Sequence, residues 1–144
     1  MADQQFNNHS QVVPLYHYVL FAAILALIAG SVNNLIGSLE TGEGLYNASL
    51  LCLVSFIVLL LAWFTRAFAL KAQDRAIRAE EQLRYFAITG KLPDSALKMR
   101  QIIALRFAPN NEFVDLAHRA VAENLSAKDI KKAIQHWKAD YNRV

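Results

Sequence analysis

A single cysteine, Cys52, excludes a disulfide framework. Three prolines and five glycines exclude collagen-like and low-complexity sequence. The most informative lack is of positive charge, because no Lys or Arg precedes Arg66. Residues 1–65 carry only Asp3, Glu40 and Glu43, a formal charge of −3, whereas the remainder carries 15 basic and 9 acidic side chains. Charged residues make up only 19% of the chain and apolar residues 55%, the reverse of a disordered composition. A chain divided so sharply has regions in two different surroundings.

What fills the uncharged part is two apolar runs. No charge occurs in residues 4–39, where VLFAAILALIAG lies at the centre of an apolar stretch over residues 15–36. A second uncharged stretch over residues 44–65 contains ASLLCLVSFIVLLLAWFT. A bilayer core about 30 Å thick needs about 20 helical residues to cross it, and both runs are long enough. Neither alternates strictly, so helices rather than barrel strands are expected. Two buried helices of a soluble protein would need more covering chain than residues 66–144 supply. A cleaved signal peptide would need a basic leader, which residues 1–14 lack.

The expected architecture is an all-α membrane protein. Residues 1–13 form an N-terminal segment, and residues 14–66 a transmembrane helical hairpin. Residues 67–90 extend the second span as a cytoplasmic helix, and residues 91–144 form a small C-terminal helical bundle. Pro14 suits the first turn of the first span. Tyr16, Tyr18, Trp63 and Phe64 fit interfacial belts, with Trp63, Arg66 and Lys71 as membrane-interface anchors. The positive-inside rule places Arg66, Lys71, Arg75 and Arg78 in the cytoplasm. Both termini are then cytoplasmic, with Glu40 and Glu43 outside, in a bacterial inner (cytoplasmic) membrane.

Small residues mark candidate packing faces. Ala22, Ala26, Gly30, Asn34 and Ser38 recur every four residues in the first span. Ala48, Cys52, Ser55 and Ala62 recur in the second, and an intramolecular seam is the favoured use of both stripes. Ala69, Ala72, Ala76, Ala79, Leu83 and Phe86 recur at three and four along the extension. Packing beneath the C-terminal helices is favoured there over homo-oligomeric pairing. The pairs Asp74–Arg78 and Glu80–Arg84 stand at the favourable i,i+4 order. Gly90 reads as a C-terminal cap and Pro93 as a stop.

Three short helices are expected beyond. One starts near Asp94 or Ser95 and runs to about Phe107. One covers residues 112–124, with Phe113, Leu116, Ala117, Ala120 and Val121 on a face. The last opens at Ser126, with Asp129 completing a near capping box, and carries Ile130, Ile134, Trp137 and Tyr141.

Residues able to do chemistry are sparse. Neither a P-loop, GxGxxG nor HExxH is present, and no catalytic role is expected. His9, His17, His118 and His136 stand apart from one another and from Cys52, so no metal site and no cofactor is expected. Cys52 reads as an apolar filler, His17 as an interfacial residue, and Asp115–His118 as a surface ion pair. No Asp, Glu, Lys or Arg lies within either span, which argues against a transporter or channel formed by this chain alone.

Lys128, Lys131, Lys132 and Lys138 crowd the last expected helix as possible contacts to an anionic partner. Anionic lipid heads are one such partner. Residues 120–130 also have a helix-turn-helix look, with Asn124 at the left-handed turn position and Ile130 packing back. Nucleic acid is the weaker choice, because no base-reading cluster precedes Gln135. The expected partners are membrane lipids and other membrane-protein subunits or a second copy, with no small-molecule substrate. The expected role is an accessory, assembly or scaffold subunit of a membrane complex, or a homo-oligomer. A membrane-tethered DNA binder or lipid-surface sensor is the alternative.

The segments FNNHSQVVPLYHY and LRFAPNNEFVDLAHRAVAENLSAKDIKKAIQHWKADYNRV resemble a family of small bacterial membrane proteins of no known activity. The resemblance implies two spans with a helical cytoplasmic tail, and it brings no function with it.

Overall fold

A computed structural model of the chain describes residues 5, 6 and 12–140. Five α-helices and no strand occur among the described residues: α1 (Phe21–Thr41), α2 (Leu45–Thr89), α3 (Met99–Leu105), α4 (Asn110–Ala122) and α5 (Ala127–Ala133). A π-helical stretch, Leu15–Leu20, leads into α1. It begins directly after Pro14, whose missing N–H costs nothing in a first turn. The chain forms two compact units, one of Val12–Ala69 and another beginning at Leu70. His9 and Tyr141 lie outside the described residues.

In the first unit, two helices are long and apolar enough to cross a membrane. Only 11% of the most apolar window of each is buried. Gly42 and Gly44 separate them, at φ 75° and 67°. Glycine adopts that left-handed backbone without a Cβ clash, and the Gly42 N–H closes α1 by donating to the Ser38 carbonyl at 3.0 Å. Three side-chain hydrogen bonds join α1 and its lead-in to α2. Ser31 Oγ donates to Ser55 Oγ (3.2 Å), Cys52 Sγ to the Ser31 carbonyl (3.2 Å), and Tyr16 O–H to the Ala62 carbonyl (2.6 Å).

The small-residue stripe of α2 is turned inward, with Ala48 and Ser55 buried and Cys52 and Ala62 half-buried. The stripe of α1 is not. Ala22, Ala26, Gly30 and Asn34 are exposed, and Ile24 and Ser31 are the buried positions. Ser31 and Ser55 meet in this seam, and each hydroxyl also reaches a carbonyl of its own helix, Ile28 at 2.9 Å and Cys52 at 2.7 Å.

In the second unit, α3, α4 and α5 enclose a core of Leu97, Ile102, Leu105, Phe107, Phe113, Leu116 and Ile130. The C-terminal part of α2 adds Tyr85 to this core, with Ile77 and Glu81 also buried. The alanine stripe was expected to do this packing, but Ala72, Ala76, Ala79, Leu83 and Phe86 are exposed. The buried face is the opposite one, where Ile77, Glu81 and Tyr85 are enclosed and Tyr85 packs edge-on against Phe113. Neither expected i,i+4 ion pair forms. Arg84 turns from Glu80 to Glu81 (3.0 Å), to Asn110 Oδ1 (2.8 Å) and to the Ala108 carbonyl (2.7 Å), with its guanidinium 4.3 Å from the Phe113 ring centroid. Gly90 does cap α2, at φ 71°.

Two helix boundaries differ from expectation. α3 starts at Met99, because Asp94 closes a turn of its own by accepting the Ala96 N–H (2.8 Å) and Gln101 Oε1 accepts the Lys98 N–H (2.9 Å). α5 ends at Ala133, with Ile134 extended, so Ile134 and Trp137 reach the core from an irregular segment. Glu112, in the first turn of α4, causes the stop. Its carboxylate accepts the N–H groups of Gln135 (2.9 Å) and His136 (3.1 Å), which a continuing helix would have used internally.

Candidate membrane belt and basic surface

The belt is built from the ends of the two apolar helices. Tyr16 lies in the π-helical stretch, and its hydroxyl is held by the Ala62 carbonyl, so the two helix ends are level. The Arg66 guanidinium lies 5.7 Å from the Tyr16 ring centroid. Trp63 is 67% exposed, and Phe64 stacks on Phe68 at 5.7 Å between centroids. A half-buried Tyr16 beside a guanidinium, with Trp63, Phe64 and Phe68 exposed on α2, has the composition of a bilayer's headgroup level, where one end of a ring is apolar and the other wet. Of the three expected anchors, Trp63 and Arg66 stand together here. Lys71 is exposed further along α2.

The four lysines expected on one helix are dispersed. Lys128 lines an open groove of about 640 Å³ with Lys98, Arg100, Gln101, Asn124 and Ser126. Lys131 is half-buried, with its ammonium 5.4 Å from the Phe107 ring centroid. Lys132 is exposed on α5. Lys138 has left the helix, and its backbone N–H donates to the Phe107 carbonyl at 2.8 Å. It lines a cleft of about 390 Å³ with Gln73, Ile77, Glu80, Arg106 and Asp140. Arg106 reaches Asp140 at 3.3 Å inside that cleft. Lys98 and Arg100 were missed in the sequence because they are far from Lys128 along the chain. Helix packing alone joins them.

Carboxylates in this unit are largely engaged internally. Glu81 pairs with Arg84, Glu123 with Arg119 at 3.0 Å, and Asp129 accepts the Ser126 hydroxyl at 2.6 Å. The Arg119 partner lowers the pKa of Glu123 and is itself raised in return. Desolvation of Glu112 raises its pKa, but the donors of Gln135 and His136 outweigh it and leave the group below its ordinary 4.5. His118 does not pair with Asp115. Its Nε2 shares a hydrogen bond with the Tyr85 hydroxyl at 3.2 Å. Among the described residues, no group of three or more His, Cys, Asp or Glu side chains could hold a metal ion.

Asn124 takes a left-handed backbone at φ 47° between α4 and α5. Behind it, Gln101 is 3% exposed and donates to the carbonyls of both Ala120 (2.8 Å) and Leu125 (2.9 Å). That one side chain satisfies the end of α4 and fixes the turn that frames the groove.

The chain belongs to a family of unknown function, DUF6526, whose model matches residues 1–144. No curated protein and no solved structure matches the chain.

Proposed function

We propose that this member of the family is a non-enzymatic integral protein of the bacterial inner membrane. Its two apolar helices form a transmembrane hairpin with both termini in the cytoplasm. It acts as an accessory, assembly or scaffold subunit, or as a homo-oligomer. The observation that carries the reading is the 11% burial of the apolar window of each helix. Leu25, Leu53 and Leu61 are each more than half exposed, and burying such side chains in lipid instead of water is worth roughly 1.5–3 kcal/mol apiece. The hydrogen bonds Tyr16–Ala62 and Ser31–Ser55 pair α1 and α2 in opposite directions, as a hairpin requires. Every Lys and Arg follows the second apolar run, which favours a cytoplasmic C-terminal unit.

Cysteine labelling tests the topology. In a Cys52→Ala background, Glu43→Cys should react with an impermeant maleimide on intact spheroplasts, and Ser95→Cys only after lysis. The opposite pattern, or a protein that stays dissolved without detergent, overturns the membrane reading. Native mass measurement in mild detergent tests the subunit role. A strictly monomeric species with no co-purifying partner would falsify it.

A second reading is favoured by the groove beside Lys98, Arg100 and Lys128, which no carboxylate lines. It makes the C-terminal unit a contact for anionic lipid or, less favourably, DNA. Flotation with liposomes of anionic and neutral lipid, and salt titration against duplex DNA, separate the two.

A further inference from the structure

Residues 71–84 of α2 carry seven charged side chains, so this part of the helix lies in water. Yet one face of it is apolar and open. Ala72, Ala76 and Ala79 are exposed, Leu83 is 69% exposed and Phe86 49%. The C-terminal helices pack on Ile77, Glu81 and Tyr85, and only the edge of this face, at Ala76 and Glu80, borders the open cleft that Lys138 and Asp140 also line. Ile77, Glu81 and Tyr85 lie on the opposite side of a helix with 3.6 residues per turn. Lipid does not cover it either, since charged residues flank it throughout. Large exposed rings and leucines in water mark a protein-binding surface.

The spacing identifies the occupant. Residues 69, 76 and 83 fall at the a positions of a heptad, and residues 72, 79 and 86 at the d positions. In that register Arg75 is a g position and Glu80 the following e position, five residues on. This is the spacing at which g and e residues of two parallel helices form an ion pair across the seam. Neither Arg75 nor Glu80 forms an ion pair within the chain among the described residues. Glu80 is left over because Arg84 is committed to Glu81, Asn110 and Ala108.

From this we infer that the open face of α2 binds the same face of a second copy, in parallel and in register. Arg75 of each copy then meets Glu80 of the other, twice per dimer. Alanine at four core positions lets the backbones approach closely, near the low end of the usual 8–10 Å separation. Leu83 and Phe86 supply the large apolar contacts at the far end. Parallel alignment rests on the membrane reading, in which both copies share one orientation. Confinement to one membrane also raises the effective concentration of the partner face.

The test uses the full chain in its membrane, in a Cys52→Ala background. Ala76→Cys should form a disulfide-linked dimer under mild oxidation, because a positions of parallel helices bring their Cβ atoms into disulfide range. Arg78→Cys, exposed on another face, should not. Arg75→Glu or Glu80→Arg alone should lower the dimer fraction, with dissociation roughly fivefold easier. The double exchange, Arg75→Glu with Glu80→Arg, should restore it. Restoration is specific to self-pairing, since a different partner would lose both contacts. Absence of the Ala76→Cys crosslink, equal crosslinking at Arg78→Cys, or a double exchange worse than either single change overturns the inference. If the crosslink is absent while native mass still shows a larger complex, the pairing face is wrong and the subunit reading stands. A monomer by both measures removes both.

Discussion

The two units of this chain handle apolar surface in opposite ways. In Val12–Ala69 most leucines and valines of α1 and α2 are exposed, and what is buried between the helices includes Ser31 and Ser55. In the unit that begins at Leu70, Phe107, Leu105 and Ile130 are fully enclosed, and most charges sit outside. A hydroxyl seam beneath an apolar exterior suits a solvent of hydrocarbon chains. An apolar core beneath a charged exterior suits water. Apolar residues are driven together only where the alternative is water, so in lipid the helices are joined by close contact and a few hydrogen bonds.

The sharpest way to break this contrast is to empty the core of the unit that begins at Leu70. Phe107→Ala should cost about 3–5 kcal/mol and loosen Trp137, whose ring centroid lies 4.9 Å away. Denaturant melts followed by Trp137 fluorescence, in a Trp63→Phe background, measure it. A loss below about 1 kcal/mol would mean that Phe107 is not enclosed as described. Next in size is Gln101→Leu, which strips the Leu125 carbonyl of its side-chain donor and leaves the Ala120 carbonyl with only the Leu125 N–H, at 3.1 Å. It should cost about 1–3 kcal/mol by the same melts, and an unchanged midpoint would argue against the clamp.

Glu112 sharpens the comparison through pH. Its folded pKa is lowered, so its contribution is complete above the ordinary 4.5 and is lost as pH falls through the lower folded value. Amide exchange at Gln135 and His136 should therefore accelerate at pH values below that point, while Ile102 stays protected. Glu112→Ala should produce the same acceleration at neutral pH, at a cost of about 1 kcal/mol. The smallest effect belongs to the unit Val12–Ala69. Ser55→Ala removes one seam hydrogen bond and should cost about 0.6 kcal/mol in detergent or bicelle unfolding. A loss as large as that of Phe107→Ala would mean the seam behaves like an aqueous core after all.

Much of the helical content was readable along the chain. The apolar runs, the glycine cap at Gly90 and the left-handed Asn124 all follow from local chemistry. So does the span of α4, within two residues at each end. The stop in α5 was not readable, because periodicity continues from Ile130 through Trp137 while the group that interrupts it, Glu112, is on another helix. The basic surface failed for the same reason. Lys128 and Lys131 are near neighbours in sequence, yet one lines the groove and the other lies on the Phe107 ring.

Composition by itself determined that residues 15–65 hold two runs long and apolar enough to cross a membrane and that positive charge gathers beyond them. Local spacing determined the cap at Gly90 and the span of α4 to within two residues, but not the start of α3 or the stop of α5. Tertiary packing decided which face each helix hides. A helix offers several apolar stripes of similar merit, and the buried one is the stripe its neighbours meet. Tyr85 meets Phe113 and Ser31 meets Ser55, partners that lie elsewhere in the chain, beyond the reach of any local pattern.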